Sequence, residues 1–459
     1  MSSHDPVRAG LTSRHIQFIA IGGAIGSGLF LGSGTGIVGG GPSLLFAYGA
    51  AGLMMYFLAR ALGELTVNDL REGSFTRYAE EYVGPLAGFV TGWGYWMSWI
   101  MACTVDLTAI ATFLQFWWPA LPLWESMLAA LALIYGINCF AVRLFGEMEF
   151  CLALIKVVTI VAMIGSGVAM LAFGLNVGGE TPHLATLWEH DGLFPKGLTG
   201  FLSILPIAFF SFGGTELVGV TAREAEDPAR AIPRAINGVI ARVVIFYLGA
   251  LAVIMTLIPW DQIGAQQSPF VLVFDKIGLP AAAAVINFVV LTAVLSSSNS
   301  GLYAAGRTLA ALALKGHAPA WLHGRNTRGL PVRALSVSAA LMLIGVLVNY
   351  LNPSHAFGQL ATASVLLLMW SWASIAISHW CFRRKFPERA KADFRMPLYP
   401  YSNLAILASL LAVVAVMAFA LDMEIPVLIG TGWLGGLVVA YYLIRRRAAA
   451  GLTPDPDAA

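Results

Sequence analysis

Three ionisable side chains sit inside stretches that are otherwise apolar. Asp106 lies in Thr104-Val105-Asp106-Leu107-Thr108, Lys156 in Leu154-Ile155-Lys156-Val157-Val158, and Glu216 closes Phe209-Phe210-Ser211-Phe212-Gly213-Gly214-Thr215-Glu216. A charge at membrane depth is costly and as a rule faces a partner or a water-filled cavity. Withdrawal from water disfavours the charged form of any such group, which eases exchange of a proton and makes each of the three a candidate for proton coupling. Other readings stand beside that one: a buried ion pair or a snorkelling side chain for Asp106 and Lys156, and a carboxylate tying down broken backbone for Glu216.

Glycine marks the second feature. The run Gly22-Gly23-Ala24-Ile25-Gly26-Ser27-Gly28-Leu29-Phe30-Leu31-Gly32-Ser33-Gly34 belongs to an apolar segment long enough to cross a bilayer, yet seven glycines fall in the fifteen positions 22–36. Such a helix is easily interrupted, and a bilayer tolerates interrupted backbone only where protein or a cavity surrounds it. An opening at Ile25, Gly26, Ser27 and Gly28 would present N–H groups and the positive end of a helix dipole, which suit a carboxylate. A second opening at Phe210, Ser211, Phe212, Gly213 and Thr215 would free carbonyl oxygens for an ammonium group, with Phe210 or Phe212 placed to close over a ligand. An α-amino acid fits both. The competing reading of the first stretch is close helix packing through the Gly22/Gly26 and Gly28/Gly32 pairs, and that of the aromatics is lipid-facing or core packing. Ser297, Asn299 and Tyr303, in or beside the polar run 296–300, either line a pathway or join helices.

Motifs for other chemistries are missing from the sequence. Its eight histidines form no metal-binding spacing, and there is no Gly-x-Ser-x-Gly elbow or Walker lysine. The Gly34-x-Gly36-x-x-Gly39 pattern has no strand before it and no acidic partner after it. We therefore expect no enzyme, no metal and no cofactor beyond a proton gradient. The net charge of +2 gives no reason to expect nucleic acid. Cys103, Cys139, Cys151 and Cys381 lie in or beside apolar segments without CxxC spacing and read as reduced.

The elements that must position these residues are membrane helices. The chain is 58% hydrophobic and 11% charged, with a mean hydropathy of +0.76, which excludes a water-soluble domain. Apolar windows of about 20 residues give twelve spans, at 16–37, 43–67, 85–115, 124–142, 148–173, 199–222, 235–257, 277–304, 333–351, 356–381, 401–421 and 426–444. The first is too long for a signal peptide and is expected to stay. With the N-terminus in the cytoplasm, only Lys196 and Lys276 of the 27 Lys and Arg residues fall outside, and Lys156 lies within a span. An even number of spans then puts both termini inside. Five spans separate the two glycine interruptions, the mark of an inverted repeat with a midplane site. The expected organisation is a cytoplasmic segment 1–15, a first repeat 16–173, a second repeat 199–381, two further helices in 401–444, and a cytoplasmic tail 445–459.

Taken together, Ile25-Gly26-Ser27-Gly28-Leu29-Phe30-Leu31-Gly32-Ser33-Gly34, Gly73-Ser74-Phe75 with Tyr82-Val83-Gly84-Pro85, Phe145-Gly146-Glu147-Met148-Glu149-Phe150, Phe210-Ser211-Phe212-Gly213-Gly214-Thr215-Glu216 with Asp227-Pro228 and Ile232-Pro233-Arg234, and Asn299-Ser300-Gly301 with Gly306-Arg307 resemble the bacterial amino acid transporter family of the amino acid, polyamine and organocation superfamily. Within it the resemblance extends to proline-permease-like members, with which Asp106 is shared. The resemblance implies an all-α membrane protein of twelve transmembrane helices, a leucine-transporter-type 5+5 inverted repeat plus two C-terminal helices. It further implies proton-coupled uptake of a neutral L-amino acid (proline, histidine, threonine, alanine or an aromatic residue) across the inner membrane. Exchange, transport of a cationic amino acid and a non-transporting receptor are the alternatives. By motif position Gly26, Ser27 and Gly28 would hold the carboxylate and Phe210 would be the gating aromatic. Lys156 would take the place of a sodium ion. Two departures stand out: Asp106 where many members carry glutamate, and the segment 68–72, which lacks their proline. The implied partners are an amino acid, protons and the lipid bilayer; monomer and dimer both fit the sequence.

Overall fold

Inside a bilayer a backbone has only itself to bond, so long apolar runs become helices. The computed structural model describes residues 25–449 apart from 70–74, 141, 178, 180, 217–227, 266, 327–328, 354–355, 390–393 and 420–423. The N-terminal segment, residues 16–24 of the first span, 217–222 of the sixth, 70–72 of the departing segment and the tail from 450 lie outside the described residues.

The long elements are α1 (28–40, a π turn over Gly28–Gly32 continued by Ser33–Gly40), α2 (Leu44–Asn68), α3 (Pro85–Leu114), α4 (Leu123–Phe140), α5 (Val142–Phe173), α6 (Gly197–Phe210) and α7 (Pro228–Arg242 continued through Val243–Gly249 to Ala250–Leu257). They are followed by α8 (Pro280–Leu314), α9 (Val332–Leu351), α10 (Ala356–Lys385), α11 (Tyr401–Phe419) and α12 (Glu424–Ala449). No β-strand occurs among the described residues. Among the described residues, nine stretches are long and apolar enough to cross a membrane; one of them, Gly28–Asn68, holds both α1 and α2, while α4 and α6 are shorter apolar helices. The twelve expected spans are thus all represented in an all-α membrane fold.

Burial ranks the helices. The most apolar windows of α3 and α10 are 78% buried, against 28% in α5 and 17% in α12, so α3 and α10 form the centre and α12 the rim. The outer faces carry large exposed apolar side chains such as Leu347, Leu411, Phe419 and Leu428, which suit lipid.

Two features differ from the expected layout. Helix α8 continues to Leu314 instead of ending at 304, because Ala304 to Leu314 is rich in strong helix formers. The guanidinium of Arg307 lies 4.3 Å from the Tyr303 ring centre, and Gly316, at φ 73°, stops the helix. Short helices also follow the second long helix of each half: Phe75–Tyr78 with Ala79–Val83 after α2, and Pro269–Lys276 after α7. The latter buries Phe270, Leu272 and Val273, with Phe270 edge-on to Phe30 at 5.0 Å.

Polar side chains join the central helices. Thr91 donates to Ser374 at 2.8 Å and Trp96 to Ser338 at 3.0 Å, fixing α3 to α10 and α9. Asn138 of α4 donates to the Asn299 side-chain oxygen of α8 at 2.8 Å. Replacing Asn138 by Ala strands that buried acceptor, and we expect a loss of about 1 kcal/mol of stability, read as a lower thermal midpoint in detergent.

Candidate functional site

At both stretches where the sequence foresees a break the described backbone is non-helical, and the two stretches meet; residues 1–24 and 217–227, on their far sides, lie outside the described residues. Residues 25 and 26 bend, and α1 begins as a π turn after Ser27, with the Phe30 N–H donating to the Gly26 carbonyl at 3.3 Å. The α6 helix ends at Phe210 and gives way to turns over 211–216. There the N–H groups of Phe212, Gly213 and Thr215 donate to the carbonyls of Phe209, Phe210 and Phe212 at 3.0, 2.9 and 3.2 Å. Gly214 takes the left-handed conformation, with φ 91°, which a side chain would strain.

Tyr48 of α2 bridges the two openings. Its hydroxyl donates toward the Gly28 carbonyl at 3.3 Å and stands 2.7 Å from Ser211 Oγ. Tyr247 of α7 donates to the Ser211 carbonyl at 2.9 Å and stacks on Phe212, ring centres 4.6 Å apart. The backbones themselves nearly touch: a Cβ on Gly28 would lie 2.6 Å from Ser211 Cα. The glycines therefore serve close packing as well as the break, so the two readings of that stretch combine.

A cavity opens between the breaks. Gly26, Ser27 and Gly28 line one side, and Phe210, Ser211, Gly213, Gly214 and Glu216 another. Its remaining wall comes from Ser98, Trp99, Ala102 and Asp106 of α3, Ser297 of α8, and Ser364 and Leu368 of α10. Ser98 donates to the Tyr95 carbonyl at 2.8 Å and Ser364 to the Ser98 carbonyl at 3.1 Å, so both hydroxyls turn acceptor lone pairs, not donors, to the cavity.

The acidic groups at the cavity are occupied. Ser27 Oγ donates to Asp106 Oδ1 at 2.5 Å, and the Ser297 hydroxyl and the Ser27 N–H also bond this carboxylate. Lys156 of α5 is fully buried, donates to Ser296 at 3.1 Å, and acts on Asp106 through its charge. It stands behind the cavity wall. Glu216 accepts from Trp372 Nε1 at 3.2 Å and from the Tyr95 hydroxyl at 3.4 Å, and from the N–H groups of Gly214 and of its own residue. Its carboxylate is thereby an anchor for the broken backbone.

Of the residues singled out in the sequence, Ile25, Phe212, Thr215, Lys156, Asn299 and Tyr303 do not line the cavity. Ile25 and Phe212 are buried in the core, Thr215 donates to the Phe212 carbonyl at 2.6 Å, Asn299 pairs with Asn138, and Tyr303 lies under Arg307. Tyr48, Tyr95, Tyr247, Trp372 and the Ser98, Trp99, Ala102, Ser364 and Leu368 wall escaped sequence reading. The α3 set did leave a signal, because positions 98, 99, 102 and 106 share one helix face with the buried aspartate.

Gly28→Ala must push α1 away from Ser211, and overpacking of this kind costs about 1–3 kcal/mol. We expect folded protein with a lowered thermal midpoint and loss of ligand-induced stabilisation, measured by thermal shift with a panel of amino acids. Tyr48→Phe is expected to keep the fold and weaken that stabilisation, because it removes the hydroxyl that both breaks share.

Comparison with known proteins supplies the family. The amino acid permease family model matches residues 15–451. The chain is 44% identical over 436 residues to the uncharacterized amino acid permease YtnA of Bacillus subtilis, covering 94% of each protein. It is 43% identical over 438 residues to the aromatic amino acid transport protein AroP of Salmonella typhimurium, covering 95% of each. It is 40% identical over 456 residues to the probable threonine/serine transporter YbxG of Bacillus subtilis, covering 99% of each. With a family match over nearly its whole length and relatives named as permeases and transporters, the chain belongs to the amino acid permease family and is a multi-pass membrane transport protein, not an enzyme.

Proposed function

We propose that this permease takes up a neutral L-amino acid together with a proton across the bacterial inner membrane, both termini facing the cytoplasm. The observation that carries the reading is Asp106: a buried carboxylate, hydrogen-bonded to Ser27 at 2.5 Å, on the wall of a cavity bounded by both helix breaks. The start of α1 offers a substrate carboxylate the positive end of a helix dipole. The turns after α6 offer an ammonium group the second lone pairs of their carbonyls.

Coupling then follows from charge. An ionised Asp106 beside a substrate carboxylate repels it in a low-dielectric site, and a proton on Asp106 removes that repulsion. Substrate and proton bind best together, which is what symport requires. Lys156 supplies a fixed cation behind Asp106. Glu216, held by four donors, is better suited to bracing the break than to carrying the proton.

The neutral side chain follows from what the wall lacks. Trp99, Ala102 and Leu368 are uncharged, Ser98 and Ser364 offer lone pairs only, and both carboxylates are already bonded. A guanidinium or ammonium on the substrate side chain would find no free carboxylate there. Relatives named for aromatic amino acids and for threonine or serine support the same reading.

Proteoliposomes should accumulate a neutral amino acid under an inward proton gradient and lose that accumulation on addition of a protonophore. Accumulation that persists without the gradient would sink symport. Asp106→Asn should bind substrate yet fail to concentrate it, and Lys156→Leu should lose most uptake. Full accumulation by both variants would remove these residues from the coupling.

A further inference from the structure

A second buried charged cluster stands away from the cavity. Glu64, near the end of α2, is fully buried, as are His379 of α10 and Asn403 of α11. Glu64 Oε1 lies 2.6 Å from Arg383 Nε. Its Oε2 accepts from Arg383 Nη2 at 3.0 Å and from the Met396 N–H at 2.7 Å, and faces His379 Nε2 at 3.1 Å. On the other side of the ring, His379 Nδ1 faces Asn403 Oδ1 at 3.1 Å. The Asn403 amide cannot turn around, because its Nδ2 donates to the Ala376 carbonyl at 2.7 Å.

Counting donors decides the charge on the ring. A carboxylate that already takes hydrogen bonds from an arginine and a main-chain N–H is an acceptor toward His379, and Asn403 Oδ1 is an acceptor too. A neutral imidazole has one N–H and one lone pair, so it would leave two acceptors face to face at 3.1 Å. With both nitrogens protonated, every contact is a donor–acceptor pair.

We propose that His379 is held as the imidazolium, and that Glu64, His379, Arg383 and Asn403 form a protonation-dependent clasp tying α2 to α10, to the chain at Met396 and to α11. The groups around the ring are Glu64 from α2, Arg383 from α10 and Asn403 from α11. Tyr399, from the chain between α10 and α11, meets the imidazole at 5.8 Å and lies 4.9 Å from the Arg383 guanidinium. The clasp joins α10, which lines the cavity, to α2, whose Tyr48 bridges the two openings. Glu64 stands about 24 Å along α2 from Tyr48 at 1.5 Å per residue, and α10 carries Leu368 and Trp372. Loss of the proton turns one contact repulsive, so the clasp is closed at lower pH and loosens as pH rises.

The test does not depend on knowing the substrate or on the transport reading. The protein is labelled with 15N at its eight histidines, and His379→Gln identifies the signal. At about pH 7 both ring nitrogens of His379 should resonate as protonated; a neutral-imidazole pair of shifts overturns the proposal. The thermal midpoint of the wild type should fall, relative to His379→Gln, as pH is raised through loss of that proton, and parallel curves also overturn it. If His379→Gln does not fold, Asn403→Asp serves, since it keeps an acceptor opposite Nδ1 and adds a charge. His379 should then keep both protons to higher pH than in the wild type, and an unchanged titration refutes the clasp.

Discussion

Every unpaired main-chain group inside a bilayer costs several kcal/mol, and in this molecule the backbone leaves the helix at 25–26 and again over 211–216. What makes the interruptions tolerable is a shell of side chains that bond the freed backbone: Tyr48 at Gly28, Tyr247 at the Ser211 carbonyl, and Glu216 at Gly214. Glu216 is in turn steadied by Trp372 and Tyr95. The cavity is the space this shell leaves open, so the same bonds that make the breaks affordable also shape the site.

Charge is handled by the same rule. Asp106, Glu216 and Glu64 are each buried, and each is surrounded by donors from helices remote in sequence. A buried carboxylate deprived of its partners is strongly destabilising, so these bonds fix the relative positions of α1 and α3, of α6 and α10, and of α2 and α10. Helix contacts in a membrane gain little from burying apolar surface, since lipid is equally apolar. Polar contacts and small residues therefore specify the packing, as the Asn138–Asn299 pair and the approach of Gly28 to Ser211 illustrate.

Much of this was legible in the sequence because the signals are local. Hydropathy over a single window finds a helix, clustered glycines mark a break, and a lone Asp or Lys in an apolar run announces a buried charge. Partners were not legible. Ser211 lies 163 positions from Tyr48, Trp372 lies 156 from Glu216, and His379 lies 315 from Glu64; only the folded chain brings them together. Glu64 shows the gap most clearly. It falls near the end of the apolar run 43–67 with its partners remote in sequence, and the fold closes over it. Asn299 erred in the opposite direction, since a polar residue in a helix that lines a cavity need not face it.

The unequal burial of the helices also places the molecule in its solvent. Helix α12 turns most of its surface outward, while its inner face packs against both α10 and α3. A bilayer thicker or thinner than the protein's apolar belt is matched first by tilt at the rim. That tilt is passed toward the broken backbone through α10, whose Trp372 holds Glu216, and through α3, whose Tyr95 bonds the same carboxylate. Lipid length is thus a mechanical input to the site, carried by two helices and the two aromatic side chains that hold Glu216.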